Sequence, residues 1–320
     1  MRRKIVIGID TSNYTTSYAI ISETGELVAN LKRPLPVKEG ERGLRQSDAV
    51  FAHIKNLPEL AKEARSYIKD AEILAVGVSE RPRNIEGSYM PCFLSGVAVA
   101  ENIAAALCVP LYRFSHQCGH VMAAIFSSGH SELLDTPFAA FHVSGGTTEL
   151  LHVKSIENGF DTELVGGTAD LNAGQIIDRV GVYMGLPFPS GKYIEELALL
   201  NTAPVPQKNL SVKELVVNLS GLENMAKRLF DETGDKNLTS AFLLDYIARA
   251  IEAVCNAYIE KYGNTPFVFA GGVMCNSIIK KRLSNKFNAF FAEPAMSADN
   301  AVGIAALTLR RYLAINKRSD

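Results

Sequence analysis

Along the chain, short apolar runs alternate with longer segments whose apolar residues recur at a spacing near 3.6. The short runs predict strands over Ile5–Ile9, Ser17–Ile21, Ile73–Val78, Phe138–Val143, Leu150–Val153, Phe267–Phe269 and Ala289–Phe291. The longer segments predict helices over Ala49–Ile68, Leu94–Leu107, Cys118–Phe126, Ala241–Tyr262 and Ala301–Tyr312. Pro58 is expected to kink or divide the first of these. Alternation of this kind predicts an α/β architecture. Pro34–Asp48 and Asn201–Glu214 lack regular patterning and read as surface loops.

Two stretches repeat one another. "VIGIDTSNYTTSYAII" and "AAFHVSGGTTELLHV" both read as apolar strand, small polar turn, a Thr-Thr pair and a second strand. Two hairpins of one kind in two halves of a chain predict duplicated lobes. The first turn, Asp10-Thr11-Ser12-Asn13, offers hydroxyls, an amide and a carboxylate with little bulk. Such groups hydrogen-bond phosphate oxygens or a bound metal and leave room for the ligand. Glycine pairs follow strand-like runs at Gly145-Gly146, Gly166-Gly167 and Gly271-Gly272. Glycines there let backbone N–H groups approach an anion, and a following helix N-terminus adds partial positive charge. "FVFAGGVMCN" fits that geometry best, and the set predicts a nucleotide cleft between the lobes.

Composition narrows the partners. The 320 residues are long enough for two domains, and 47% are hydrophobic against 21% charged. A net charge of −1 gives no global basic field, so DNA is not expected. RNA would need a local patch or a partner protein, the basic clusters Arg2–Lys4 and Lys280–Arg282 being small. Five cysteines without a CxxC pair, a start that reads as a strand and not as a secretory signal, and no bilayer-spanning apolar run predict a cytoplasmic protein without membrane attachment.

The segment "RFSHQCGHVMAA" carries His116 and His120 four apart, so both imidazoles project from one helix face and can share a metal. Gln117 follows His116, so the general-base glutamate of the zinc-protease motif is missing and proteolysis is not expected. A third ligand is wanted, and "PAMSADNAVG" supplies Asp299 in a turn, although spacing alone does not select it over other carboxylates. Two histidines and a carboxylate with open positions suit iron or zinc.

Seven motifs now stand in order over nearly the whole chain: "GIDTS", "HQCGH", "HVSGG", "DLNAGQIIDRVGVYMGLPFPSG", "NLSGLEN", "AGGVMCN" and "SADNAVG". In this the chain resembles the TsaD family, historically called glycoproteases, within the actin-like, sugar-kinase-like ATPase superfamily. The resemblance implies a two-lobed α/β fold with duplicated lobes and a central cleft, one lobe from residues 1–115 plus 300–320 and the other from 116–299. It implies transfer of a threonylcarbamoyl group from threonylcarbamoyl-adenylate to an adenosine of tRNA, one divalent ion, and partner subunits in a hetero-complex through which tRNA is bound. His116, His120 and Asp299 fall on the family's metal ligands. His142, Val143, Ser144, Gly145 and Gly146 fall on the strand and turn that hold the acyl donor, and Asp178, Gly191 and Asn276 on nucleotide contacts. Ser12 and the Gly271-Gly272 turn complete the expected nucleotide site, while no residue is assigned as the catalytic acid or base.

The chain also departs from the family. Tyr14 and Thr15 stand where an acidic pair is usual, "ERPRNIEGSYMP" where a "GPG" turn is usual, and Thr147 where a His is usual. Asp170 is retained but its acidic neighbour is Leu171, and Ser115 and Cys118 replace a His and a Glu. The alternative expectation is therefore a divergent paralogue that binds nucleotide and metal but has another acceptor or a regulatory, non-catalytic role.

Overall fold

Seven consecutive residues, Ile5 to Thr11, are buried in the strand that begins the chain, the mark of a strand covered on both faces. The computed structural model describes residues 2–12, 14–36, 44–157, 159–297 and 301–317. It divides into two units, Met1–Ser131 with Ser155–Asp161 and Met296–Asp320, and Glu132–Lys154 with Thr162–Ala295. The boundary expected between residues 115 and 116 falls inside the first unit.

The first unit is built on β1 (Arg3–Thr11), β2 (Thr15–Ser22), β3 (Leu27–Pro34), β4 (Ala71–Arg81) and β5 (Leu111–Ser115), in the order β3-β2-β1-β4-β5. β1 pairs antiparallel with β2 and parallel with β4, and β5 continues the parallel half. Ile5, Ile7 and Ile9 pack against Leu57, Leu60 and Ala64 of α1 (Gln46–Ile68) and Val97 and Ala100 of α2 (Phe93–Leu107). Against the other face lies the C-terminal helix (Val302–Asn316), and on that helix lies α3 (His116–Ser128). Of the two expectations for Pro58, a kink or a division of α1, division does not occur: the helix runs on with Ala49, His53, Leu57, Leu60 and Ala64 buried. Packing on both sides of the proline outweighs its missing hydrogen bond.

The second unit contains β6 (Phe138–Val143), β7 (Thr148–Ile156), β8 (Gly159–Thr168), β9 (Val212–Lys213), β10 (Val216–Val217), β11 (Phe267–Ala270) and β12 (Ala289–Phe291). Their order is β12-β11-β6-β7-β8-β10-β9. α4 (Ala173–Tyr183), α5 (Gly191–Leu199), α6 (Ser220–Thr233), α7 (Lys236–Tyr262) and α8 (Ser277–Ser284) accompany it. Phe141, Leu150, Phe267 and Phe269 of the sheet share one core with Ile176 and Val180 of α4 and Phe242 and Tyr246 of α7.

The expected duplication is present in the topology. β8-β7-β6-β11-β12 repeats β3-β2-β1-β4-β5, with the central strand antiparallel to the next strand and parallel to the fourth in each case. Even the hairpin register agrees: Thr11 pairs with Thr16, and Val143 with Thr148. Gly166 and Gly167, expected as an anion turn, instead lie within β8. A Cβ on Gly166 would strike the Leu215 carbonyl at 2.3 Å, and one on Gly167 the Thr148 carbonyl at 2.2 Å. Close strand packing explains that pair. Among the described residues no helix is long and apolar enough to cross a membrane.

The contact between α3 and the C-terminal helix depends on missing side chains. A Cβ on Gly303 would lie 1.8 Å from the Gly119 carbonyl oxygen, whereas one on Gly221 in α6 would meet nothing within 4 Å. Gly303→Ala should cost about 1–3 kcal/mol or more by overpacking, and Gly221→Ala should be neutral or stabilising by up to about 1 kcal/mol. Urea unfolding midpoints of the two variants check the contrast.

Candidate functional site

Parallel strands place their carboxyl ends along one edge of a sheet, where open α/β folds bind ligands. In the first unit that edge carries Asp10 near the end of β1 and Ser115 at the end of β5. Ser115 caps α3 by accepting from the Cys118 N–H, which fixes His116 at the first helical position. The Asp10 side chain is fully buried, and its Oδ1 lies 2.8 Å from His116 Nδ1. A carboxylate oxygen accepts, so His116 donates from Nδ1 and its Nε2 is left on the opposite side of the ring. That Nε2 lies 2.9 Å from His120 Nε2. Phe93 packs against the His116 ring with centroids 5.9 Å apart.

This arrangement fits a cation. Two imidazole nitrogens so close can both reach one ion at metal–nitrogen distances of about 2.0–2.1 Å. A metal-bound histidine ordinarily gives its other N–H to a carboxylate, the role Asp10 fills. Asp10 Oδ2 is buried and has no hydrogen-bond partner among the described residues. Asp299, the third expected ligand, lies outside the described residues, and among those described no group of three His, Cys, Asp or Glu gathers as a metal site.

The hydroxyls of the first turn serve mainly the fold. Thr11 Oγ1 donates to the carbonyls of Cys92 and Phe93 and accepts from Gly96 N–H, tying β1 to α2. Thr16 Oγ1 contacts His53 Nδ1 at 2.8 Å and accepts from Asn56 Nδ2 at 3.0 Å, tying β2 to α1. Ser17 Oγ donates to the Asp10 carbonyl. Ser12 is 2% exposed and its carbonyl accepts from His53 Nε2 at 2.9 Å.

The second unit brings its expected residues together. His142 and Val143 end β6, where His142 pairs with Ala270 of the parallel β11. Ser144 closes the turn: its Oγ accepts from the N–H groups of Gly146 and Thr147 at 3.3 and 3.1 Å. Gly145 and Gly146 are exposed, and a Cβ on either would meet open space. Gly271 has φ +98°, and a Cβ there would strike the Val143 carbonyl at 2.2 Å, so the two turns touch only because it is glycine. Gly272 again faces open space.

Helix starts surround these turns. α4 opens with a capping box of Asn172 and Gln175, and its Gly174 N–H donates to the Ser144 carbonyl. A Cβ on Gly174 would lie 2.6 Å from the Gly145 nitrogen. Thr148, matching Thr16 of the first hairpin, accepts from Ala173 N–H at 3.2 Å. Asp178 Oδ1 accepts from Ser190 N–H at 2.7 Å, fixing the start of α5, where a Cβ on Gly191 would find open space. The Asn276 side-chain oxygen accepts from the Ile278 and Ile279 N–H groups and caps α8. Two open glycine turns ringed by helix N-termini have the chemistry to hold a phosphate.

The departing residues have local roles. Leu171 packs on the second unit's core and gives its N–H to Asp170. Partial burial pushes the Asp170 carboxyl up, but hydrogen bonds from Ser220, Leu219 and Leu171 overcome this and hold it at about 2. Asp170 thereby pins the start of α6 to the loop before α4. Cys118 is buried, with Sγ donating to the Phe160 carbonyl, and Tyr14 is 46% exposed. Sequence reasoning missed three positions: Asp10 as partner of His116, His53 and Gly174. A carboxylate directly after a long apolar run and small residues opening a helix were the available signals.

Comparison with known proteins agrees with these arrangements. Residues 38–306 match the family model described as TsaD, tRNA N6-adenosine threonylcarbamoyltransferase. The chain is 28% identical over 324 residues to a tRNA N6-adenosine threonylcarbamoyltransferase of Streptococcus suis, covering 98% of this chain and 94% of that one. It is 28% identical over 326 residues to the same-named protein of Streptococcus pneumoniae, with the same coverage. Among solved structures it is similar in fold to component A of the (R)-2-hydroxyglutaryl-CoA dehydratase of Acidaminococcus fermentans, with TM-score 0.53, 13% identity, and 97% and 99% of the two chains covered. A ROK family glucokinase of Streptomyces griseus is similar at TM-score 0.52 and 12% identity, with 95% and 99% covered. The fold is that of actin-like ATPases and sugar kinases, and the chain belongs to the TsaD family of tRNA N6-adenosine threonylcarbamoyltransferases.

Proposed function

We propose that the protein transfers the threonylcarbamoyl group of threonylcarbamoyl-adenylate to N6 of an adenosine in tRNA, in the cytoplasm and together with partner subunits. The N6 amine attacks the carbamoyl carbon, the bond from that carbon to the phosphate oxygen breaks, AMP leaves, and N6 gives up a proton. His116 and His120, with Asp299 as the expected third ligand, would hold one divalent ion, iron or zinc. Such an ion, when bound, supplies Lewis acidity that polarises the acyl donor. The residues of the chain do the rest. Asp10 orients His116, and the open glycines of the Ser144–Thr147 and Gly271–Gly272 turns would let the phosphate approach the surrounding helix N-termini, whose partial positive charge stabilises the departing AMP. Asp178 and Gly191 fix the second-unit surface on which the adenosine would rest. The observation that supports this reading most is the His116 Nδ1 to Asp10 bond of 2.8 Å, which aims Nε2 at His120.

A second reading, a paralogue with another acceptor or a regulatory role, is favoured by the exposed tyrosine at position 14. Tyr14 and Thr15 offer a phenol and an alcohol where the family's usual pair offers two carboxylates.

Two tests follow from these assignments. His116→Ala should abolish stoichiometric metal by elemental analysis, while Asp10→Asn should retain the ion but bind it about 10–100-fold more weakly. A gently purified wild type without any transition metal would remove the ion from the account. If an acidic pair tunes the chemical step, worth about 10²–10⁴-fold for general acid–base catalysis, then Tyr14→Asp with Thr15→Glu should raise the single-turnover transfer rate. An unchanged rate in that variant, with wild type already fast, would make the turn irrelevant to catalysis.

A further inference from the structure

His53 is a fully buried histidine in the middle of α1, and no part of the proposed reaction uses it. Both of its ring nitrogens are engaged with the β1–β2 hairpin: Nε2 at 2.9 Å from the Ser12 carbonyl oxygen, and Nδ1 at 2.8 Å from Thr16 Oγ1. The directions of these bonds are determined. A carbonyl oxygen only accepts, so Nε2 carries the proton. In the neutral ring Nδ1 then accepts, and Thr16 donates its hydroxyl hydrogen to it. Thr16 Oγ1 in turn accepts from Asn56 Nδ2 at 3.0 Å, one turn further along α1. The relay therefore runs one way, from Asn56 through Thr16 to His53 and on to Ser12.

A protonated ring would break the relay. Nδ1 would become a second donor to Thr16 Oγ1, whose own hydrogen would lose its acceptor in a buried place. Burial lowers the pKa of the ring, against the pull of the Ser12 carbonyl and the Asp10 carboxylate. Geometry and environment thus favour the same neutral form.

The far end of the relay matters because of what stands beside it. Ser12 is two residues from Asp10, the partner of His116, and one residue from Thr11, which α2 holds through its hydroxyl. Thr11 ties the turn to α2, and His53 ties it to α1. We infer that His53 is a positioning residue for the site: its Nε2–H holds the Ser12 peptide and thereby sets the turn that presents Ser12 and Asp10. This assignment rests on the proposed function for the identity of the reaction, but not for the hydrogen bonds.

Two substitutions separate the halves of the ring. The amide of a glutamine reaches the place of Nε2, and that of an asparagine the place of Nδ1. His53→Gln should keep the bond to Ser12 and stay within about threefold of wild type in AMP affinity and single-turnover threonylcarbamoyl transfer. His53→Asn should lose that bond and fall about tenfold or more in transfer, as misplacement of a site by a fraction of an ångström does, with weaker AMP binding by calorimetry. Both are compared at temperatures well below their melting points. Equal behaviour of the two variants, whether both normal or both impaired, would overturn the assignment. Should His53→Asn not fold, Thr16→Val decides: it keeps the shape, removes the hydroxyl that fixes the tautomer, and should lower transfer in the same direction. A Thr16→Val protein with wild-type transfer and AMP affinity would likewise overturn it. If wild type transfers nothing from threonylcarbamoyl-adenylate, the proposed reaction fails, while the order of AMP affinities still judges His53.

Discussion

A buried carboxylate at the end of the central strand of the first unit is the constraint on which the site depends. Ionised groups are rarely removed from water without a partner, and Asp10, fully enclosed, has one oxygen on His116 Nδ1 and the other without a hydrogen-bond partner among the described residues. The pairing decides which nitrogen of His116 faces His120. It also decides what the surrounding elements must do. β5 must end at Ser115 so that His116 begins a helix, α3 must approach the C-terminal helix closely enough to require Gly119 and Gly303, and β1 must be buried to its last residue. Each is a packing condition, and together they hold one side chain in one orientation.

Duplication relates the hairpins of the two units. The hairpins share a register, so Asp10 corresponds to His142, Ser12 to Ser144 and Thr16 to Thr148. In both, the threonine at the start of the second strand secures the hairpin to a helix, Thr16 through Asn56 of α1 and Thr148 through Ala173 of α4. The turns themselves have diverged. The first carries the buried Asp10, Thr11 and Ser12, and the second is opened by Gly145 and Gly146, where a Cβ would meet no described residue within 4 Å. A metal needs side chains in fixed directions, whereas a phosphate needs bare backbone N–H groups. The repeated hairpin differs between the units in what fills its turn.

Much of this was legible from the chain. Strongly periodic helices, the apolar strands and the repeated hairpin all lie where their patterns put them, because periodicity reports burial directly. The His116 and His120 spacing was legible for the same reason, since helix geometry alone fixes it. β3 and β8 were not legible: "LVANLKRP" and "GFDTELVGGT" alternate too weakly, being half exposed along the outer part of the sheet. Gly166-Gly167 resembled an anion turn because the residue type is the same whether a backbone approaches a phosphate or another strand. Neither His53 nor the role of Asp10 could be read, since their partners stand 41 and 106 residues away and only the folded chain brings them together.

The claim at the centre of this account is that Asp10 fixes His116 with its proton on Nδ1, leaving Nε2 as the atom that acts. Nitrogen-15 NMR of the imidazole rings, on protein stripped of metal by chelation and held at neutral pH, reads the protonated nitrogen of each histidine directly. The account predicts that His116 carries its proton on Nδ1, with the signal moving on Asp10→Asn. A His116 protonated on Nε2 and bare on Nδ1, indifferent to that substitution, would contradict it.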